Sequence, residues 1–250
     1  MFSYTTYCYD MEPQPNRSLD IFVPDCPARK LAVLFVHGGG WSGGARTAFH
    51  PTMTALTKLG WICGTLDYRL SGVNALEQIA DVRFGRELFF EKLQELGHTG
   101  DLVLVGSSSG AHLALLEGMT NTDCHTAGIV SISGILTFEL WDEIFPPIKA
   151  AMISIAGQAY ADNPDLYRSL SPDQQINDQT PPICLMDGVN EHMFPNNLAE
   201  AFVAKMHKYG RTAEHHIYDK AEHGFFYDVT RPCQQKAFAD LVTFLEKAEA

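Results

Sequence analysis

The chain has 250 residues, a length that fits one domain and is sufficient to bury a large core. Its formal net charge of −12 argues against a nucleic-acid partner and against an anionic membrane surface, and with 46 % apolar residues it has an ordinary globular composition. No apolar run approaches membrane-spanning length, Met1–Thr6 shows no basic-then-apolar leader, and the six cysteines (Cys8, Cys26, Cys63, Cys124, Cys184, Cys233) form neither a CxxC pair nor a disulfide or zinc pattern, so a cytoplasmic, reducing location is expected.

Strand-like and helix-like segments alternate along the chain. Ser18–Val23 reads as an early strand, and Leu31–Val36 is a continuous apolar run of the kind buried on both faces. Thr47–Leu59 reads as a helix that Gly60 ends, followed by the strand Trp61–Leu66. From Ala75 to Leu96, apolar residues from Ile79 to Leu96 recur at helical spacing, and Gly97 stops the segment. Leu102–Val105 and Gly128–Ile132 are strands. Residues 135–180 are irregular, with Trp141, Phe145, Tyr160 and Tyr167 among their aromatics. Ile183–Met186 and Glu214–Tyr218 are strands; Asn196–Tyr209 and Gln234–Lys247 are helices. This order predicts an α/β domain spanning 1–250, with a mostly parallel central sheet and helices on both faces. The irregular stretch is placed where a small cap would be inserted, its aromatics either lining a pocket or packing the insertion onto the body.

The strand Leu102–Val105 runs into Gly106-Ser107-Ser108-Ser109-Gly110 and then into a helical pattern. A strand, a Gly-x-Ser-x-Gly turn and a helix form a nucleophile elbow: the turn is too tight for flanking side chains, and Ser108 stands exposed before the helix N-terminus. Acyl transfer from such a serine also needs a base, an acid to orient it and donors for the oxyanion. His223 follows the last strand and precedes the last helix, so its loop reaches back over the sheet end. His112 sits one turn into the elbow helix and reads as packing. His215 and His216 are adjacent in a strand, face opposite ways and cannot jointly chelate a metal.

Two carboxylates compete for the acid after the strand Ile183–Met186. Glu191 is preferred because a residue beyond the turn can reach back to the imidazole; Asp187, which ends the strand, is the alternative. Backbone donors are expected from Gly39 and Gly40 in His37-Gly38-Gly39-Gly40-Trp41, and from Ser109. No Gly-Lys-Ser/Thr or GxGxxG follows the glycines, which excludes a phosphate loop. The chemistry needs no metal or organic cofactor. Trp41, Trp141 and Phe225 are the aromatics placed at the substrate, a small-molecule ester or amide.

With these residues in place the chain resembles the HGGxW branch of the α/β-hydrolase superfamily, which holds hormone-sensitive-lipase-like esterases, small carboxylesterases and kynurenine formamidases. The shared marks are His37–Trp41, Asp67-Tyr68-Arg69-Leu70, Gly106–Gly110, Asp187-Gly188, Phe194-Pro195 and His223-Gly224-Phe225. The resemblance implies Ser108 as nucleophile, Glu191 as acid and His223 as base, with Tyr68, Arg69 and Asp81 structural. The acid is more often aspartate in such relatives. An elaborate cap does not fit before Leu31, which implies a small or open pocket for short acyl or aryl esters. A serine esterase is the first expectation, an arylformamidase acting on N-formylkynurenine the second, and a non-catalytic ligand-binding module on the same fold the third. An exposed edge strand or the last helix offers a surface for a homodimer.

Overall fold

The computed structural model describes residues 2–9, 17–98, 100–121, 126–139 and 144–250. Eight strands form one sheet: β1 (Phe2–Cys8), β2 (Ser18–Pro24), β3 (Ala32–Val36), β4 (Ile62–Leu66), β5 (Leu102–Ser107), β6 (Thr126–Ile132), β7 (Ile183–Asn190) and β8 (Ala213–Glu222). Their spatial order is β1-β2-β4-β3-β5-β6-β7-β8. The β1–β2 and β2–β4 pairs are antiparallel; from β4 to β8 the neighbours are parallel.

Among the described residues the α-helices are α1 (His50–Thr57), α2 (Ala75–Glu95), α3 (Ser109–Thr120), α4 (Pro146–Ala156), α5 (Pro164–Ser169), α6 (Asn196–Lys208) and α7 (Pro232–Glu249). The apolar core has two parts, and strand alternation assigns each to one face of the sheet. Leu34, Leu104 and Leu185 face Val82, Phe89, Leu113 and Phe202, which lie on α2, α3 and α6. Phe35, Val105 and Cys184 face Met53, Leu56, Leu241 and Phe244, on α1 and α7. Residues 32–36 are all buried because both faces are covered.

The sequence expectations differ from this structure in identifiable ways. The helix expected over 47–59 starts as a 3-10 turn, Arg46–Phe49, and becomes α-helical at His50, with Pro51 in the first turn where its missing N–H costs nothing. β7 and β8 each run four residues beyond their apolar cores, because ladder pairing continues through Asp187–Ile217 and Gly188–Tyr218 to Asn190–Glu222. β1 was not expected at all: its side chains are mostly exposed, so it carries no burial pattern, yet seven of its residues pair with β2. Within 135–180, α4 ends at Gly157 in the left-handed region, and α5 is capped by Asn163 Oδ1, which accepts from the Leu166 N–H. Tyr167 in this stretch is fully buried, its hydroxyl donating to Gln158 O at 2.7 Å, and Phe138 stacks on His112 at 4.5 Å, so these aromatics pack inward. Trp141 lies outside the described residues. No helix among the described residues is long and apolar enough to cross a membrane.

A polar network ties α2 to the loop after β4. The carboxylate of Asp81, 2 % exposed, accepts from the Arg69 N–H at 3.0 Å, Arg69 Nε at 2.8 Å and Nη2 at 2.9 Å, and from Arg17 Nη1 at 2.7 Å. Gln78 Nε2 donates to both Trp41 O at 2.7 Å and Arg69 O at 2.6 Å. Replacing Asp81 by alanine leaves two guanidinium groups without their shared anion, and is expected to cost about 3–5 kcal/mol of stability. Urea unfolding measures this; a loss below about 1 kcal/mol contradicts a structural role for the network.

Candidate active site

The elbow is built as its glycines require. Ser108 sits between β5 and α3 with φ 53° and ψ −122°, a conformation that non-glycine residues rarely hold. A Cβ on Gly106 would lie 2.4 Å from Gly110 O, and one on Gly110 would lie 2.2 Å from His37 O. Both flanks therefore exclude any larger residue, and packing of the elbow against the loop after β3 holds the turn. The Ser108 N–H donates to Ile132 O at 2.8 Å, fixing the elbow to the end of β6.

His223 directly follows β8. Its Nδ1–H donates to Glu191 Oε2 at 2.8 Å, which leaves Nε2 to accept from the Ser108 hydroxyl at 2.8 Å. The imidazole is held from behind: the Gly224 N–H donates to Ser133 Oγ at 3.1 Å, and the Phe194 ring lies 5.7 Å from the His223 ring. Glu191 sits in a turn after the last ladder pairs of β7, its N–H donating to Gly188 O at 3.1 Å. At Gly188 the two strands approach so closely that a Cβ would lie 2.4 Å from Ala221 O, and the register shifts between Gly188 and Asn190. That irregularity brings the end of β7 beside the end of β8.

The two candidate acids have separate partners. Glu191 Oε1 accepts from the Met193 N–H at 2.8 Å and the Phe194 N–H at 3.3 Å while Oε2 holds His223. Burial alone would raise the Glu191 carboxyl, but the His223 hydrogen bond and charge and the two backbone donors outweigh it and hold the group below the ordinary glutamate value. Asp187 instead accepts from His215 Nε2 at 2.8 Å, and burial raises its carboxyl above the ordinary value against the lowering effect of His215. His216 faces the other side of the sheet, as its alternation requires, with Nδ1 3.8 Å from Asp240 Oδ2.

The glycine loop lies directly against Ser108: a Cβ at Gly38 would be 3.1 Å from Ser108 Cβ and 2.8 Å from Tyr227 Oη. The Gly38 N–H donates to that hydroxyl at 3.1 Å. Gly39, Gly40 and Trp41 follow with φ of 133°, 60° and 61°. Ser109 begins α3, beside Ser108, with its side chain buried. Tyr68 stacks on His37 at 4.5 Å and donates to His37 O at 2.9 Å, bracing the loop from below.

Two expected substrate contacts are corrected. Trp41 and Phe225 are each 2 % exposed and belong to the core. Trp41 Nε1–H donates to His112 Nδ1 at 3.3 Å, which leaves the other imidazole N–H to donate to Leu170 O at 2.8 Å. Burial pushes His112 down to about 4, so it is a neutral spacer between the glycine loop, the elbow helix and α5. Phe225 packs on Tyr218 at 5.1 Å, and its carbonyl accepts from Gln234 Nε2 at 2.9 Å. Phe194 was visible only as part of the shared Phe194-Pro195 pair. Ser133 and Tyr227 carried no sequence signal, because their importance lies in one hydrogen bond each across 91 and 189 residues.

Comparisons with known proteins agree with this architecture. The BD-FAE family model matches residues 19–206. Esterase LipQ of Mycobacterium tuberculosis is 26 % identical over 240 residues, covering 88 % of this chain and 56 % of its own length. Esterase LipC of the same organism is 25 % identical over 231 residues, covering 84 % and 57 %. The chain thus spans about half the length of these relatives. Among solved structures, esterase B from Lactobacillus Rhamnosis superposes with a TM-score of 0.83 at 17 % identity, covering 99 % of this chain and 86 % of that one. Thermogutta terrifontis esterase 2 superposes with a TM-score of 0.78 at 21 % identity, covering 92 % and 90 %. The fold is the α/β-hydrolase fold.

Because the folded-state Glu191 carboxyl lies below the ordinary 4.5, the folded protein binds fewer protons there than the unfolded chain. The stability contributed by Glu191 is therefore complete above 4.5 and lost as pH falls through the lower folded value. The stability gap between wild type and Glu191→Gln should shrink as pH is lowered through that window, read by urea unfolding at several pH values. A gap that does not change with pH contradicts the assignment of a buried, hydrogen-bonded anion.

Proposed function

The chain belongs to the BD-FAE family, and from that premise we propose that it is a serine carboxylesterase that cleaves small carboxylic esters through an acyl-enzyme. One observation carries this reading: the unbroken line from Glu191 through His223 to Ser108, both bonds 2.8 Å, at the N-terminus of α3.

In this mechanism Ser108 Oγ attacks the ester carbonyl and His223 Nε2 takes its proton. Glu191 keeps the proton on Nδ1 and stabilises the imidazolium that forms. The N–H groups of Ser109, Gly39 and Gly40 hold the oxyanion, each such donor typically contributing about 3–4 kcal/mol to the transition state. Collapse of the tetrahedral intermediate expels the alcohol, protonated by His223. Water then repeats the sequence on the acyl-Ser108 ester and releases the acid.

The substrate class follows from the restricted insertion between β6 and β7, which we read as a small cap, and from the related folds. Thermogutta terrifontis esterase 2 has been solved with propionate and with butyrate bound, and esterase B with a tributyrin phosphonate. Short acyl groups are the class assigned here. Two exposed aromatic rings, Phe145 and His192, lie 6.3 Å apart next to the Glu191 turn.

Ser108→Ala is expected to lower kcat on a p-nitrophenyl ester by about 10⁵–10⁶-fold, and Glu191→Gln by about 10³–10⁴-fold. Asp187→Asn should stay within about tenfold of wild type, its partner being His215. Equal losses from the two carboxylate variants contradict Glu191 as the acid, and an active Ser108→Ala contradicts the whole reading. A panel of p-nitrophenyl esters from acetate to decanoate, with N-formylkynurenine alongside, tests the substrate class. Highest kcat/KM on the shortest esters is the expected result; a preference for the formamide by more than about tenfold makes the enzyme an arylformamidase instead.

A further inference from the structure

At the other end of β7 and β8, away from Ser108, the sheet brings together three side chains of metal-ligand chemistry that the proposed hydrolysis does not use. Cys184 and Glu214 are directly paired across the β7–β8 ladder, and His216 lies two residues further along β8 on the same face. One donor atom from each lies within 4.8 Å of the others. Cys184 is fully buried, whereas Glu214 and His216 are about one-third exposed at the sheet edge.

Each side chain presents the right atom. His216 Nε2 is buried, makes no hydrogen bond and lies 3.5 Å from Glu214 Oε1. Two ligands of one tetrahedral zinc ion, at about 2.0–2.1 Å from the metal, stand about 3.4 Å apart, so this edge of the coordination polyhedron is preformed. Lys247 Nζ takes the outer oxygen, Glu214 Oε2, at 3.2 Å and leaves Oε1 turned inward. On the far side of the imidazole, Asp240 Oδ2 lies 3.8 Å from His216 Nδ1 and is itself fixed by the Tyr218 hydroxyl at 2.8 Å. A carboxylate behind the second ring nitrogen is the arrangement that orients metal-bound histidines.

We propose that Cys184, Glu214 and His216 form a binding site for a divalent cation of the zinc class, with Asp240 positioning His216. One soft sulfur, one imidazole nitrogen and one carboxylate oxygen suit zinc or its spectroscopic substitute cobalt, not the all-oxygen preferences of calcium or magnesium. Binding forms the metal–sulfur bond and releases the Cys184 thiol proton to solvent; no electron is transferred. The fourth position is left to water. His223 stands nine positions beyond Glu214, roughly 30 Å along a strand, so the ion is structural. It clasps the edge strand β8 to β7 beneath α7 and, through β8, steadies the loop that carries His223. Sequence spacing gave no zinc pattern because the donors come from two strands about thirty residues apart and meet only through the ladder.

The test uses the full chain, stripped with a chelator and titrated with Co²⁺. The expected result is one equivalent bound, with a near-ultraviolet thiolate-to-cobalt charge-transfer band, and a rise in Tm on adding Zn²⁺. Cys184→Ser should abolish the band. His216→Gln, a partly exposed change that does not depend on a core substitution being tolerated, should weaken binding by more than about tenfold and remove the Tm rise. No charge-transfer band in the wild type overturns the site. So does binding that survives His216→Gln, or that is lost in Glu191→Gln, which assigns the ion to the His223 relay instead.

Discussion

The site depends first on the backbone of Ser108. Its φ of 53° and ψ of −122° turn the chain sharply between a buried strand and a buried helix, and such a residue costs of the order of 1–3 kcal/mol and persists only where its surroundings impose it. Here they do. β5 and α3 are both fixed in the core, the flanking glycines have no room for a Cβ, and the Ser108 N–H is committed to Ile132 O. The strain is therefore supported by the whole sheet. Relaxing it would require shifting α3 against the loop after β3, because Gly110 touches the His37 carbonyl.

The rest of the constellation is arranged around that fixed point by the ends of three neighbouring strands. Ser108 is tied to the end of β6, the Ser133 N–H to Met186 O on β7, and the Gly224 N–H back to Ser133 Oγ. Ser108, Glu191 and His223 thus follow the same ends of β5, β7 and β8, with β6 tying the first to the other two, and need only short loops to meet. The glycine loop is supported separately, through Gln78 beneath Trp41, His112 beside it and Tyr68 beneath His37. These supports are buried and polar, and each makes a hydrogen bond to a backbone or ring atom of the loop. The loop is consequently held by directional contacts, which suits a segment whose proposed work is to present N–H groups in a fixed direction.

Much of this was legible in the sequence, and the remainder was hidden for specific reasons. Strands buried on both faces announce themselves as apolar runs, so β3 and β5 were read almost to the residue. The elbow, the imidazole loop and the glycine run were legible because each requires residue types that few other structures need. β1 was invisible because an exposed edge strand has no burial pattern. Trp41 and Phe225 were misassigned to the substrate because an aromatic beside a motif looks alike whether it faces a pocket or the core; burial decides, and burial is a tertiary property. The Cys184, Glu214 and His216 cluster was hidden because strand register, not spacing, brings it together.

The choice between Asp187 and Glu191 shows how position and electrostatics combine. Both carboxylates sit near the end of β7 and each holds a histidine at 2.8 Å, so hydrogen-bond length does not separate them. Their surroundings do. Asp187 is raised by burial, which His215 only partly offsets, and the neighbouring Glu191 charge raises it further. Glu191 is buried too, but two backbone N–H groups and His223 favour its charged form and pull it the other way. Two carboxylates whose environments push them apart divide their roles. The carboxylate with backbone donors is also the one whose imidazole partner reaches Ser108. Glutamate fits this position for a geometric reason: the turn after Gly188 sets its backbone beyond the strand end, and the additional methylene lets the carboxylate reach back to Nδ1 while its other oxygen still accepts from Met193 and Phe194.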